Sequence, residues 1–300
     1  MKTKKYPLSI EDQREIAPDY TGPVFVWDID KTYLSTRFSS LGGLGRIPIE
    51  FAVDKQAIFG MPSVLRGLRR GPGAEFACSP LYFISASPPQ LRKVVTRKML
   101  LDGVEWDGII FKDWLGTLMQ LRPGRLKDQL GFKLSALLTG RQSRPLATEY
   151  LFGDDVEKDA EAFALYAQVM AGELGAGELE QRLVQAGVPT DDRKGIQNLI
   201  SALPANRGQV GHIYIHLETN HDPLDFAELG PRVVPVKGAC QMALALYAEG
   251  LLGASAVSSA CRAVKQKKGY RYGNVDEMLA DAQKRGLINE EKTKELELPD

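Results

Sequence analysis

The feature that most constrains the fold of this 300-residue chain is a set of five short apolar runs, each closed by a polar or turn residue. Val24-Phe25-Val26-Trp27 lies between Gly22-Pro23 and Asp28. Leu81-Tyr82-Phe83-Ile84 ends at Ser85, Gly108-Ile109-Ile110-Phe111 follows, and Glu149-Tyr150-Leu151-Phe152 ends at Gly153-Asp154. Val210 to Leu217 is the fifth. Runs this short and apolar read as buried strands. Between them the apolar residues recur at helical spacing over about 61–70, 88–101, 125–139 and 157–171. Strands alternating with helices predict an α/β fold, a central parallel sheet with helices on both faces. Sheets of that kind bind ligands beyond the carboxyl ends of their strands, so the residues immediately after each run carry the functional information.

Two stretches interrupt the alternation. Residues 33–60 are Gly-rich and weakly periodic and read as a flap or small insertion. Residues 172–205, punctuated by glycines and Gly187-Val188-Pro189, read as a helical insertion. The expected organisation is an N-terminal extension at 1–20, a main domain at 21–252 and a helical C-terminal extension at 253–300.

Composition narrows the function classes. The 38 Lys and Arg balance the 38 Asp and Glu, which argues against a nucleic-acid-coating protein. The balance conceals a split: residues 1–150 hold 22 basic and 15 acidic side chains, so the second half carries the compensating acidic excess. Residues 51–100 alone hold 8 basic against 2 acidic, and residues 151–200 hold 4 against 10. Cys78, Cys240 and Cys261 are odd in number and widely spaced, so no disulfide framework or zinc knuckle is expected and a reducing compartment suits them. The start of the chain lacks the apolar core of a secretory signal. The apolar stretch 239–257 is broken by Gln241, Glu249 and two glycines, short of a membrane span. The expectation is a soluble cytoplasmic protein with no transmembrane segment.

The strand ends supply candidates for chemistry. Asp28-Ile29-Asp30-Lys31-Thr32 follows the first run. Two carboxylates one residue apart can divide labour, one attacking phosphorus or binding metal while the other protonates a leaving oxygen. Thr32 could pin the turn, and the same carboxylates could instead serve as helix caps. Ser85-Ala86-Ser87-Pro88 follows the second run, where a serine hydroxyl could donate to a phosphate oxygen beside the N-terminal amides of the helix opened by Pro88-Pro89, or simply cap that helix. Lys133, ahead of Leu134–Leu138, reads alone as a solvated lysine. Asp154, Asp155, Glu157 and Asp159 crowd four carboxylates into six residues, suggesting Mg²⁺ or a helix N-terminus favoured by its dipole. His212, Tyr214 and His216 share one strand face, where core or edge packing outweighs a metal site. Lys265–Tyr272 reads as a solvated helix end, and the basic cluster from Arg66 to Lys98 largely as surface charge.

Taken in order, Asp-x-Asp-x-Thr, a strand ending in Ser, a Lys-led helix and Gly-Asp-x-x-x-x-Asp resemble the four-motif signature of the haloacid dehalogenase (HAD) superfamily. The segments 25–32, 82–91 and 151–159, with His212–Ile215 and 233–252, are most similar to the actin-patch-associated phosphatidate phosphatases, relatives of the lipin catalytic domain. That family has Asp where Lys31 stands and Ser-Gly where Asp155-Val156 stand, and its counterpart of 172–205 is shorter.

The resemblance implies a HAD-like Rossmannoid fold with small insertions rather than a large cap. It also implies a Mg²⁺-dependent phosphoric monoester hydrolase. Asp28 is then the nucleophile that becomes aspartyl-phosphate, and Asp30 the general acid and base. Asp28, Asp30 (through its carbonyl) and Asp154 are the metal ligands, with Asp155 or Asp159 nearby. Ser85 and Lys133 hold the phosphoryl oxygens, with Thr32 and Ala86 beside them. The implied partner is a phosphorylated substrate, with phosphatidate or another lipid phosphate at a membrane surface as the leading class. A soluble metabolite, nucleotide or phosphoprotein substrate is the first alternative, a non-catalytic phosphatidate-binding module the second. A glycosyltransferase Asp-x-Asp would leave Gly153–Asp159 without a role.

Overall fold

A computed structural model describes residues 6–35, 56–114 and 128–299. Most of the expected flap at 33–60 therefore lies outside the described residues, as does the start of the 125–139 helical pattern. All five expected strands form: β2 (Pro23–Asp28), β5 (Leu81–Ser85), β6 (Gly108–Lys112), β7 (Thr148–Asp154) and β8 (Val210–His216). They are joined by β1 (Leu8–Asp12) and β9 (Val233–Val236) in a seven-stranded sheet of order β1-β6-β5-β2-β7-β8-β9. Every pairing is parallel except β1 with β6. The fold is α/β and Rossmann-like. Two short strands, β3 (Leu34–Ser35) and β4 (Gln56–Ala57), pair antiparallel at the two ends of the 33–60 stretch.

Side chains alternate across the sheet, as strand geometry requires. Phe25, Trp27, Phe83, Ile109, Phe152 and Tyr214 face one core, where Trp27, Phe152 and Tyr214 stack in sequence with centroid separations of 4.1 and 5.2 Å. Helices α1 (Met61–Arg70), α2 (Arg92–Leu101), α7 (Gly238–Ala248), α8 (Ala254–Lys265) and α9 (Val275–Lys284) supply that face. Val24, Val26, Tyr82, Ile84, Leu151, Ile213 and Ile215 face the other core. It is covered by α3 (Gln129–Arg141), α4 (Asp159–Ala171), α5 (Ala176–Gln185) and α6 (Thr190–Ser201). A last short helix, α10 (Glu290–Lys294), follows α9.

Both presumed extensions are built into this architecture. β1 extends the sheet by pairing with β6 from Leu8↔Lys112 to Asp12↔Gly108. Val257, Val264, Val275 and Ile288 are buried in the same core as the sheet, so packing is continuous across residue 252. Leu179, Leu183, Val188 and Ile196 likewise bury the 172–205 stretch into the second core.

The cysteine expectation is corrected. Cys240 on α7 and Cys261 on α8 form a disulfide, with Cα atoms 4.7 Å apart, and Cys78 is free. The cause is tertiary. α7 and α8 pack directly against each other in the core, which brings both thiols together. Cysteine spacing carries no trace of that approach.

Candidate active site

The first strand-end loop is shaped by its backbone. The amides of Tyr33 and Leu34 both donate to the Ile29 carbonyl, at 3.1 and 2.8 Å, and Lys31 donates its amide to Leu34 at 2.7 Å. Lys31 sits in the left-handed region, at φ 62°. Its carbonyl is 3.0 Å from Nδ1 of the buried His216 at the end of β8. This turn sends the two aspartates to different partners. Asp28 Oδ1 lies 2.6 Å from Lys133 Nζ. Asp30 Oδ2 accepts hydrogen bonds from the Ser85 and Ser87 hydroxyls at 2.9 and 2.8 Å. The Thr32 hydroxyl does not pin the turn: it is buried without a hydrogen-bond partner among the described residues.

Lys133 is no surface residue. Asp128 caps α3 by accepting from the Gly131 amide at 2.8 Å, and one turn further on Lys133 is fully buried. Its ammonium pairs with Asp28 and Asp159 and lies 3.6 Å from Glu157. Burial disfavours the ammonium, but the surrounding carboxylates outweigh it and hold the lysine pKa well above its ordinary value.

β7 delivers the acidic run. At Gly153 a Cβ would stand 2.5 Å from the Asp159 Cβ, so only glycine lets Asp159 fold back under the strand end. Asp159 Oδ2 then accepts from the Asp154 amide at 3.2 Å. Asp154 Oδ1 accepts from the amides of Val156 and Glu157 at 2.7 and 3.0 Å. Burial dominates the titration of this group. It pushes Asp154 up to about 6 and Asp159 to about 7, and it raises Glu157 and, more strongly, Asp28.

Asp155 is not brought to this cluster. Its carboxylate accepts from the amides of Glu218 and Thr219 at 2.8 and 3.1 Å and from the Thr219 hydroxyl, and His221 Nδ1 lies 3.1 Å away. It ties the loop after β8 to the end of β7. Asp30 is also withdrawn from the carboxylate cluster by its two serines. Glu157, which the motif reading passed over, takes a place there, and its spacing from Asp154 within one acidic run was the available signal. Ser87 was likewise missed as a partner of Asp30. Its amide also donates to Ser85 Oγ at 3.0 Å, while the Ala86 carbonyl accepts from Trp114 Nε1 at 2.8 Å. Neither serine caps the 3₁₀ turn that precedes α2.

The donor set suits a hard divalent cation. One oxygen each from Asp28, Glu157 and Asp159 can lie within 4.8 Å of one another. Asp28 Oδ2, Asp154 Oδ2 and Glu157 Oε2 are buried without a hydrogen-bond partner among the described residues. Four carboxylates here face the single ammonium of Lys133, which already engages Asp28 Oδ1 and Asp159 Oδ1. Oxygen-rich, under-neutralised and buried, the remaining carboxylate atoms match what Mg²⁺ or Ca²⁺ coordinates.

The other candidates are spent elsewhere. His212 pairs with Glu249, which also accepts from the Tyr214 hydroxyl. The three histidines do not converge. Arg69 bonds Asp107 at 2.6 Å, Arg92 pairs with Glu11 at 3.0 Å and Lys98 pairs with Asp102. Arg69 thereby ties α1 to the segment before β6 and Arg92 ties α2 to β1, while Lys98 pairs with the cap of its own helix. Lys265 to Gly269 are exposed at the end of α8, as a solvated helix end, whereas Tyr272 beyond them is buried and donates its hydroxyl to Leu217 O at 2.6 Å. No helix among the described residues is long and apolar enough to cross a membrane. Comparison of the chain with models of protein families, with curated proteins and with solved structures gives no match.

Proposed function

We propose that this chain is a HAD-type phosphatase that hydrolyses a phosphate monoester through an aspartyl-phosphate intermediate. The reading rests on one observation above all. Asp28 and Asp30, two residues apart at the end of the central strand, are held in opposite chemical settings. Asp28 contacts a buried ammonium that would draw a phosphoryl group toward it. Asp30 Oδ2 accepts from two serine hydroxyls, which would orient it for its proposed part as proton donor to the leaving group.

In the proposed reaction the Asp28 carboxylate attacks phosphorus. The bond to the leaving oxygen breaks as Asp30 protonates it, giving the free alcohol and aspartyl-phosphate. Asp30, now a carboxylate, takes a proton from water, whose oxygen attacks phosphorus and restores Asp28 with release of inorganic phosphate. Lys133 offsets charge on the phosphoryl oxygens, and Ser85 and Ser87 orient Asp30. Asp28 and Asp154 have carboxylate oxygens without a hydrogen bond that could hold Mg²⁺, with Glu157 and Asp159, both also facing Lys133, adjoining. When bound, that ion would let an anionic carboxylate approach an anionic phosphate. A phosphorylated lipid is the leading substrate class, and Asp30 argues against a binding module, which needs no second carboxylate.

Phosphate release with and without Mg²⁺ across lipid phosphates, nucleotides, sugar phosphates and phosphopeptides tests this, with Asp28→Asn as control. Mg²⁺-dependent release that Asp28→Asn abolishes is the expected result. Release retained in Asp28→Asn removes the nucleophile assignment. No release from any class, with a lipid phosphate still bound, transfers the site to recognition without hydrolysis.

A further inference from the structure

His216 closes β8, and its side chain reaches past β7 to the loop that follows β2. It lies two residues beyond Tyr214 and so faces the same core, in which Ile29, Tyr33 and Leu34 of that loop are buried. His216 is only 1% exposed, and its Nδ1 lies 3.0 Å from the Lys31 carbonyl. A carbonyl only accepts, so Nδ1 carries the hydrogen and donates it. Tyr272 packs edge-on against the imidazole, with ring centroids 6.4 Å apart.

The bond falls where the loop is strained. Lys31 has φ 62°, a conformation that a residue other than glycine keeps only where its surroundings fix it. Its amide donates to Leu34 O at 2.7 Å and its carbonyl accepts from His216, so the peptide groups on both sides of Lys31 are tied. Asp30, immediately before it, sends its carboxylate the other way, to Ser85 and Ser87 after β5. The loop is thus strung between β5 on one side of β2 and β8 on the other. The His216 carbonyl in turn accepts from the Asp155 amide at 3.2 Å, next to Asp154, so one residue joins the Asp30 turn to the acidic run. Packing alone does not account for the imidazole. Its Nε2 is buried without a hydrogen-bond partner among the described residues, a loss that an apolar side chain of similar size would avoid. The bond to Lys31 is what the imidazole adds.

We propose that His216 is a positioning residue for the hydrolysis, fixing through the Lys31 carbonyl the turn that aims Asp30 at the leaving oxygen. The assignment rests on the phosphatase reading. Held from both sides, Asp30 keeps one place relative to Asp28. Released at Lys31, the turn can relax out of the left-handed conformation and carry Asp30 with it. A displacement of about 1 Å at a reacting group costs about a hundredfold in rate. The loss falls on the step that needs the acid: an alkoxide must be protonated as it leaves, whereas p-nitrophenolate leaves without help.

The test compares kcat/KM, which reports the steps up to loss of the leaving group, on two alkyl phosphates and one aryl phosphate. The probes are dioctanoyl phosphatidate, glycerol 3-phosphate and p-nitrophenyl phosphate. His216→Leu and His216→Asn have the same branching, but only asparagine can donate to Lys31 O. His216→Leu should lose at least about tenfold on the alkyl phosphates and less than about threefold on p-nitrophenyl phosphate. His216→Asn should recover most of that loss. His216→Phe, which also lacks a donor, repeats the measurement if circular dichroism shows His216→Leu unfolded. NMR of the ring nitrogens in the parent should show His216 as the Nδ1–H tautomer. Equal losses on both kinds of substrate, no loss in a folded variant without the donor, no recovery in His216→Asn, or an Nε2–H tautomer would each overturn the proposal. A parent that releases phosphate from neither kind of substrate removes the phosphatase reading itself, and the role of His216 with it.

Discussion

Lys133 and Asp28 stand 105 positions apart in the chain, yet their side chains meet at 2.6 Å with both fully buried. The lysine comes from the second turn of α3 and the aspartate from the end of the central strand. Their contact is the hinge of the site, because every other carboxylate in the cluster is arranged around the same ammonium.

The two partners are predicted to respond unequally to mutation. Lys133→Met leaves several buried carboxylates without a cation and should cost about 3–5 kcal/mol. Asp28→Asn leaves Lys133 paired with Asp159 and relieves repulsion among the acids, so it should cost clearly less than Lys133→Met. Urea unfolding of both variants in chelator decides the matter. Equal losses would contradict the charge imbalance described for the site.

A divalent cation should stabilise the folded chain. At about 100 times its dissociation constant, a ligand that binds only the native state adds about 2.7 kcal/mol, enough to raise the unfolding midpoint by several degrees. Thermal scans with Mg²⁺ and with chelator should show that rise in the parent and its loss in Asp154→Asn. An Asp154→Asn protein that keeps the full shift would place the ion elsewhere.

Glu149 provides a pH dependence remote from the site. Burial alone would raise its pKa, but Arg141, Arg144 and the Tyr166 hydroxyl together bring it below the ordinary glutamate value. A depressed native pKa contributes stability above the unfolded pKa, near 4.5, and that contribution is lost as pH falls through the native value. Glu149→Gln should therefore be less stable by about 3–5 kcal/mol at pH 7. The gap should narrow below about pH 4 in denaturant titrations. A gap constant from pH 7 to pH 3 would exclude the linkage.

The disulfide gives a chemical prediction. Thiol counting on unreduced, denatured protein should find one free thiol, Cys78, and three after reduction. The Cys240→Ser, Cys261→Ser double variant should lose about 3 kcal/mol for a loop of 21 residues. Three free thiols before reduction would show the bond does not form in the purified chain.

Much of this protein was written locally. The apolar runs at 24–27, 81–84, 108–111, 149–152 and 210–217 determined strands, because buried parallel strands need continuous apolar residues whatever their neighbours are. The helices at 61–70 and 159–171 followed from periodicity for the same reason. Asp28, Ser85 and Asp154 were legible because each ends a strand, and Asp30 because it lies two residues beyond one. Tertiary structure alone decided the rest. β1 is too polar to announce itself, and it becomes a strand only because β6 offers an edge. The Cys240–Cys261 bond depends on how closely α7 and α8 approach. Within the acidic run, sequence gave four equivalent carboxylates, and the fold separated them. Gly153 admits Asp159 beneath the strand end, the loop after β8 turns Asp155 away, and Glu157 is drawn toward the ammonium of Lys133. A carboxylate's charge is a property of its residue type, whereas its burial and its partner are set by elements arriving from elsewhere in the chain.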